Sequence, residues 1–122
     1  MSEMNSLPEI GAAFVLEEES PVTLRRRHVH YKIRLYIRNT PNDTYAVTYI
    51  LHESFPNSVR EVRKPPEFPL EIFSFGDFTV RAEVRTSSRS YDTECRLSAA
   101  LRAESDSSSP AIVQALNEIS AN

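Results

Sequence analysis

The sequence predicts an all-β fold, an antiparallel β-sandwich of about seven or eight strands with a short C-terminal helix. Three observations lead there. Segments in which apolar and polar residues alternate with period two follow one another along the chain. Clusters of Asn, Asp, Pro and Ser separate these segments at short intervals. No helical pattern intervenes between them, so neighbouring strands pair as hairpins rather than through helical crossovers. The 122 residues make one domain, and a domain of this size buries roughly 65% of the surface its unfolded chain exposes.

The elements follow in order. Residues 1–11 are polar and lack a period, and read as a flexible N-terminal arm. Residues 12–102 form the sandwich domain. AFVL at residues 13–16 is a first short strand, with Ser20 and Pro21 as a turn. In YKIRLYIR (residues 31–38), Tyr31, Ile33, Leu35 and Ile37 share one face and Lys32, Arg34, Tyr36 and Arg38 the other. NTPND turns the chain into a strand with Tyr45, Val47, Tyr49 and Leu51 on one side. Pro65 and Pro66 end any central strand, and residues 67–76 read as a loop rich in large apolar groups. Phe78, Val80, Ala82 and Val84 mark another strand. Tyr91, Thr93, Cys95, Leu97, Ala99 and Leu101 mark a long final one. Residues 103–122 are a polar linker and a helix opened by Ser109 and Pro110, with Ile112, Leu116 and Ile119 as its apolar stripe. Strand number and order make the sandwich immunoglobulin-like, without the cysteine pair or tryptophan of an antibody domain.

A net charge of −3 argues against a nucleic-acid binder that works by neutralising phosphates. The run Arg25, Arg26, Arg27 reads as a solvated face. The single cysteine, Cys95, allows no internal disulfide and suits a cytoplasmic protein. No apolar segment is long enough to span a membrane, and no secretory leader is evident at the N-terminus.

The stretch LHESFP (residues 51–56) places a histidine, a serine and a phenylalanine at the end of a strand, where a core needs neither of the first two. His52 and Ser54 point the same way on extended backbone, but a serine nucleophile also needs an orienting acid and an oxyanion hole. Glu53 faces the other side, so the chain is not read as an enzyme. His28, His30 and His52 offer zinc no completed ligand set, and no metal or cofactor is expected. A third reading is a pocket. Phe55 before Pro56, and Phe75 before Gly76, where a positive φ is easily reached, could form a slot for a flat amide. A backbone N–H of the Gly76 turn could then hold the amide oxygen, with Ser54 and His52 adding hydrogen bonds. On composition alone, folding of this loop back onto the core is the better reading.

Those residues carry a resemblance. VTYILHESFPNSVREVRKPP, followed by FGDFTVRAEV, resembles the YEATS domain family of acyl-lysine readers over roughly residues 28–102, and its short form is similar to the prokaryotic branch. The resemblance implies an immunoglobulin-like sandwich with a site at its loop end. Phe55 and Phe75 would enclose an acyl amide, Ser54 would hydrogen-bond it and His52 would line the side. A backbone N–H at Phe75 or Gly76 would hold the acyl oxygen, and Phe78 opens the next strand. The partner implied is an acylated protein or peptide, not a nucleic acid or a membrane. The chain departs from the family pattern in a slightly longer loop before Phe75, in Ser74 where glycine is frequent, and in Phe75 itself where tyrosine or tryptophan is usual. Asp77 beside Phe75 keeps a cation-binding alternative open. The competing function is an interaction scaffold, its slot plugged by Phe73 or Ile72 and its partner docked on a sheet edge or the C-terminal helix.

Overall fold

The computed structural model describes residues 7–105 and 108–122 and is an antiparallel sandwich with two helices at one end. The strands are β1 (Glu9–Phe14), β2 (Leu16–Glu17), β3 (Ser20–Pro21), β4 (Thr23–Arg25), β5 (Val29–Arg38), β6 (Thr44–Ile50), β7 (Val59–Val62), β8 (Leu70–Ser74), β9 (Thr79–Thr86) and β10 (Ser90–Arg96). The helices are α1 (Leu97–Glu104) and α2 (Pro110–Ala121). The excess over the expected strand count lies in short pieces: β2 and β3 form a separate hairpin of two residues each.

One sheet is organised by β5. Its Ile33–Arg38 segment pairs with β1 and its Val29–Tyr31 segment with β4. The overlapping stretch Tyr31–Leu35 pairs with β8, which must therefore lie on the other edge. The second sheet runs β10-β9-β6-β7. Ile33, Leu35 and Ile37 meet Val47, Tyr49, Val80 and Val84 in the core between the sheets, all at most 1% exposed. Burying a side chain of this kind stabilises by roughly 1.5–3 kcal/mol, so this layer dominates the fold. The buried Tyr49 hydroxyl donates to the Phe68 carbonyl at 2.6 Å, and burial raises its pKa.

Four local expectations fail, each for a physical reason. The flexible-arm reading of residues 1–11 does not hold from Glu9 onward; residues 1–6 lie outside the described part of the chain. Glu9, Ile10 and Gly11 belong to β1, where Ile10 is buried and the Tyr36 ring lies over Gly11. A Cβ on Gly11 would come within 2.4 Å of that ring, so glycine is set here by space. Ser20 and Pro21 are strand residues, and the turn falls on Glu18 and Glu19, both with positive φ. Tyr45 is exposed and Ala46 buried, because a register shift between Thr44 and Ala46 turns Tyr45 out of the apolar face. The final strand stops at Arg96. Leu97, Ala100 and Leu101 are buried at helical spacing on α1, while Ala99 is exposed.

The C-terminal helix starts as the sequence requires, with the Ser109 hydroxyl accepting from the Ile112 N–H. Its stripe of Ile112, Ala115, Leu116 and Ile119 is buried. Glu118 accepts a 2.5 Å hydrogen bond from the Tyr31 hydroxyl, which ties α2 to β5.

Candidate functional site

Two loops at one end of the sandwich carry the residues singled out in the sequence. The first follows β6. The chain leaves the strand at Ile50, and residues 52–55 form a turn closed by the Phe55 N–H on the His52 carbonyl at 3.0 Å. Leu51 N–H donates to the Ser58 carbonyl and closes the loop behind the turn. Asn57 adopts φ 51°, in the left-handed region that asparagine tolerates. Arg60 then donates to the carbonyls of Asn57 and Pro56.

The turn, not an extended strand, brings His52 and Ser54 together. The Ser54 backbone N–H donates to His52 Nδ1 at 3.1 Å, so that nitrogen is unprotonated. The Ser54 hydroxyl lies 2.8 Å from the same nitrogen. Its lone pairs stay free to accept an N–H from a ligand. No carboxylate among the described residues hydrogen-bonds His52, so the orienting third member of a catalytic triad is missing there.

The second loop follows β8, in the region the sequence presents as irregular. Leu70–Ser74 is instead a strand on the β5 edge, with Ile72 turned into the core and Phe73 38% exposed. Phe73 lines the cleft described below and Ile72 does not. Ser74, at the position where glycine is frequent, is buried and braces the turn from inside. Its hydroxyl donates to the Gly76 carbonyl at 2.9 Å and lies 3.4 Å from the Gly76 N–H. Gly76 does not have a positive φ, contrary to expectation. Its surroundings are tight: an added Cβ would lie 3.1 Å from the backbone oxygen of Asn122, where α2 ends against the loop.

His52, Ser54 and Phe55 from the first loop, and Phe75, Gly76 and Phe78 from the second, line one cleft of about 600 Å3. The rings of Phe55 and Phe75 find different neighbours. Phe55 packs on Phe78 at 5.1 Å between centroids and through it on the core, where Phe78 is 6% exposed. Phe75 is 39% exposed and is held by histidines. His28 stacks on it at 4.4 Å and 8°, and His30 meets it edge-on at 5.1 Å. The sequence presents these two histidines only as metal ligands. Their two-residue spacing at the start of β5 is the available signal; the β5–β8 pairing that brings them to Phe75 is not readable from the sequence. No metal-binding group of three or more such side chains occurs among the described residues.

Asp77 also lines the cleft, but its carboxylate is engaged. It accepts from the Ser98 N–H at 2.9 Å, the Ser98 hydroxyl at 2.7 Å and Arg96 at 3.1 Å. Asp77 therefore caps α1 from a neighbouring loop, a task no side chain performs at the helix's own N-cap position. Its side chain is 11% exposed. The Asp77 carboxylate is therefore not free to attract an ammonium group.

The family model of the prokaryotic YEATS domain matches residues 31–98. No curated protein sequence matches the chain significantly. Solved structures do. The crystal structure of the Yaf9 YEATS domain bound to H3K27ac is 20% identical, with 80% of this chain and 77% of that chain covered and a TM-score of 0.53. The crystal structure of Yaf9, the yeast AF-9 homologue, is 20% identical over 77% of this chain and 70% of that one, with a TM-score of 0.52. The Yaf9 YEATS domain recognising an H3K122suc peptide is 18% identical over 83% of each chain, with a TM-score of 0.51. At these identities the likeness is one of fold.

Proposed function

The chain belongs to the prokaryotic YEATS domain family, and on that premise we propose that it is a non-enzymatic reader that binds an acylated lysine of a protein or peptide between Phe55 and Phe75. The acyl amide lies flat between the two rings. Ser54 accepts the amide N–H, held in position by His52, and a backbone N–H at Phe75 or Gly76 donates to the acyl oxygen. One observation carries this reading: residues from two separate loops line a single open cleft, and the Asp77 carboxylate in its wall is already held by Arg96 and Ser98. A neutral acylated side chain loses less hydration on entering such a slot than an ammonium does. A ring box with a free carboxylate would favour the cation instead. The contact area is small, so binding on the order of −5 to −8 kcal/mol is expected, in the micromolar to high-micromolar range. A cytoplasmic setting is part of the proposal and agrees with a single, part-buried Cys95 whose thiol is pushed up to about 11 by burial.

The scaffold reading has less support. The apolar stripe of α2 is already buried in the domain, Ile72 is buried in the core, and Phe73 lines a cleft that stays about 600 Å3 in volume. The test is an NMR titration with acetyl-lysine, crotonyl-lysine and unmodified lysine. Shifts at Ser54 and Gly76 are expected with the acylated forms alone and should need about 3- to 10-fold more ligand in Phe75→Ala. Silence with all three ligands overturns the reader.

A further inference from the structure

Seven of the fourteen basic side chains have an acidic partner among the described residues. Lys32 pairs with Glu71, Arg34 with Glu67, Arg38 with Glu9 and Glu104, and Arg85 with Glu61. Arg25, Arg26 and Arg27 differ. All three are exposed, and none has an ion pair among the described residues. They occupy the reversal between β4 and β5, where the Arg26 N–H donates to the His28 carbonyl at 3.1 Å. Leu24 is paired with His30, and Leu24, Arg26 and His30 all line the cleft. Arg26 thus stands at the rim beside the Phe75 wall, and Arg27 follows at the tip of the reversal.

The opposite bank carries a second guanidinium. Arg60 grips the carbonyls of Pro56 and Asn57 at 2.9 and 3.0 Å, and Pro56 lines the cleft. Those carbonyls use its hydrogen-bond donors without cancelling its charge. Glu53 is the one carboxylate in residues 52–57; it is exposed and is not part of the cleft wall. Asp77 is neutralised by Arg96. A chain of net charge −3 therefore places Arg26 in the cleft lining and Arg25, Arg27 and Arg60 in the segments that adjoin it, none with an ion pair among the described residues.

We propose that the peptide segment flanking the bound side chain is acidic, with Asp or Glu near the modified lysine meeting Arg26 and Arg27 on one bank and Arg60 on the other. The inference rests on the reader function above and names its substrate class. The arginines lie at the entrance, whereas apolar rings line the slot, which assigns the negative charge to the flank and not to the acyl group. Exposed charges at a rim act mainly through steering and choice of partner, and salt screens them.

The test titrates the full chain with three peptides built around the same acetyl-lysine, flanked by Glu and Asp, by Gly and Ser, or by Lys and Arg. Acetyl-lysine amide without a flank is the fourth ligand. The acidic peptide should bind about 3- to 10-fold more tightly than the neutral one, and the basic peptide more weakly than both. The ratio should shrink toward one between roughly 50 and 500 mM salt, as the screening length falls. It should also shrink toward one when Arg25, Arg26 and Arg27 are all replaced by Ala. Equal affinities, or preference for the basic peptide, with acetyl-lysine amide still bound, overturn this inference alone. So does a short DNA duplex that displaces the acidic peptide more effectively than free glutamate at matched ionic strength. No binding by any acetylated ligand overturns this inference and the reader function together.

Discussion

The two walls of the cleft are built on opposite principles. The Phe55 wall is an extension of the core: its ring rests on Phe78, which is almost fully buried. The Phe75 wall stands on the surface, and its ring is held by His28 and His30, which belong to β5 and the turn before it. Damage to the first wall is a folding event, whereas damage to the second is a recognition event. A reader needs both kinds, one to fix the geometry of the slot and one that ligand can reach.

The largest expected effect comes from attacking the first wall at its base. Phe78→Ala should lower unfolding free energy by about 3–5 kcal/mol, as for other buried aromatic truncations, measured by denaturant titration. Retention of wild-type stability would break the comparison. Next is Asp77, which lies between the walls. Asp77→Ala removes the cap of α1 and strands Arg96, and should cost roughly 1–2 kcal/mol in the same measurement. A smaller effect is expected on the second wall. Phe75→Ala should leave the unfolding midpoint nearly unchanged yet weaken acyl-lysine binding about 3- to 10-fold, the scale of one lost aromatic contact. A large stability loss there would show that this wall belongs to the core after all. His28→Ala should weaken binding by about 2- to 3-fold, with His28→Phe restoring it, because the stack and not the imidazole chemistry holds the ring.

The smallest effect is a pH dependence at α2, whose end lies against Gly76. The Tyr31 hydrogen bond holds the Glu118 carboxyl below its ordinary range. Its contribution is therefore complete above that range and is lost as pH falls through the lowered folded-state value. Burial, with Glu118 as a further cause, raises Tyr31 to about 12. That contribution is present below the ordinary tyrosine value near 10 and fades as pH rises from there toward about 12. Tyr31→Phe should flatten both flanks of a plot of stability against pH.

The same contrast explains what could be read from the sequence. The alternation in β5, β6 and β9 announces a buried face directly, because its period is local. LHESFP and FGDF also stand out, and their residues do meet in one cleft. What stayed hidden depends on contacts distant in sequence. In residues 97–101 both periods fit, since Leu97, Ala99 and Leu101 suit a strand and Leu97, Ala100 and Leu101 suit a helix. The deciding cap comes from Asp77, some twenty positions upstream. Leu70–Ser74 looks like a loop because Pro65 and Pro66 precede it, and only pairing with β5 makes it a strand. His28 and His30 reach Phe75 through that same pairing.

Asp77 makes the identity of the ligand hard to change. To convert this slot into a trap for ammonium ions, a mutating lineage would first have to release that carboxylate from Ser98 and Arg96, and so loosen the first turn of α1. Under the proposed reader function, a preference for amides would in this way be tied to the integrity of the helix, and variants that drift toward cations would give a poorer yield of folded protein.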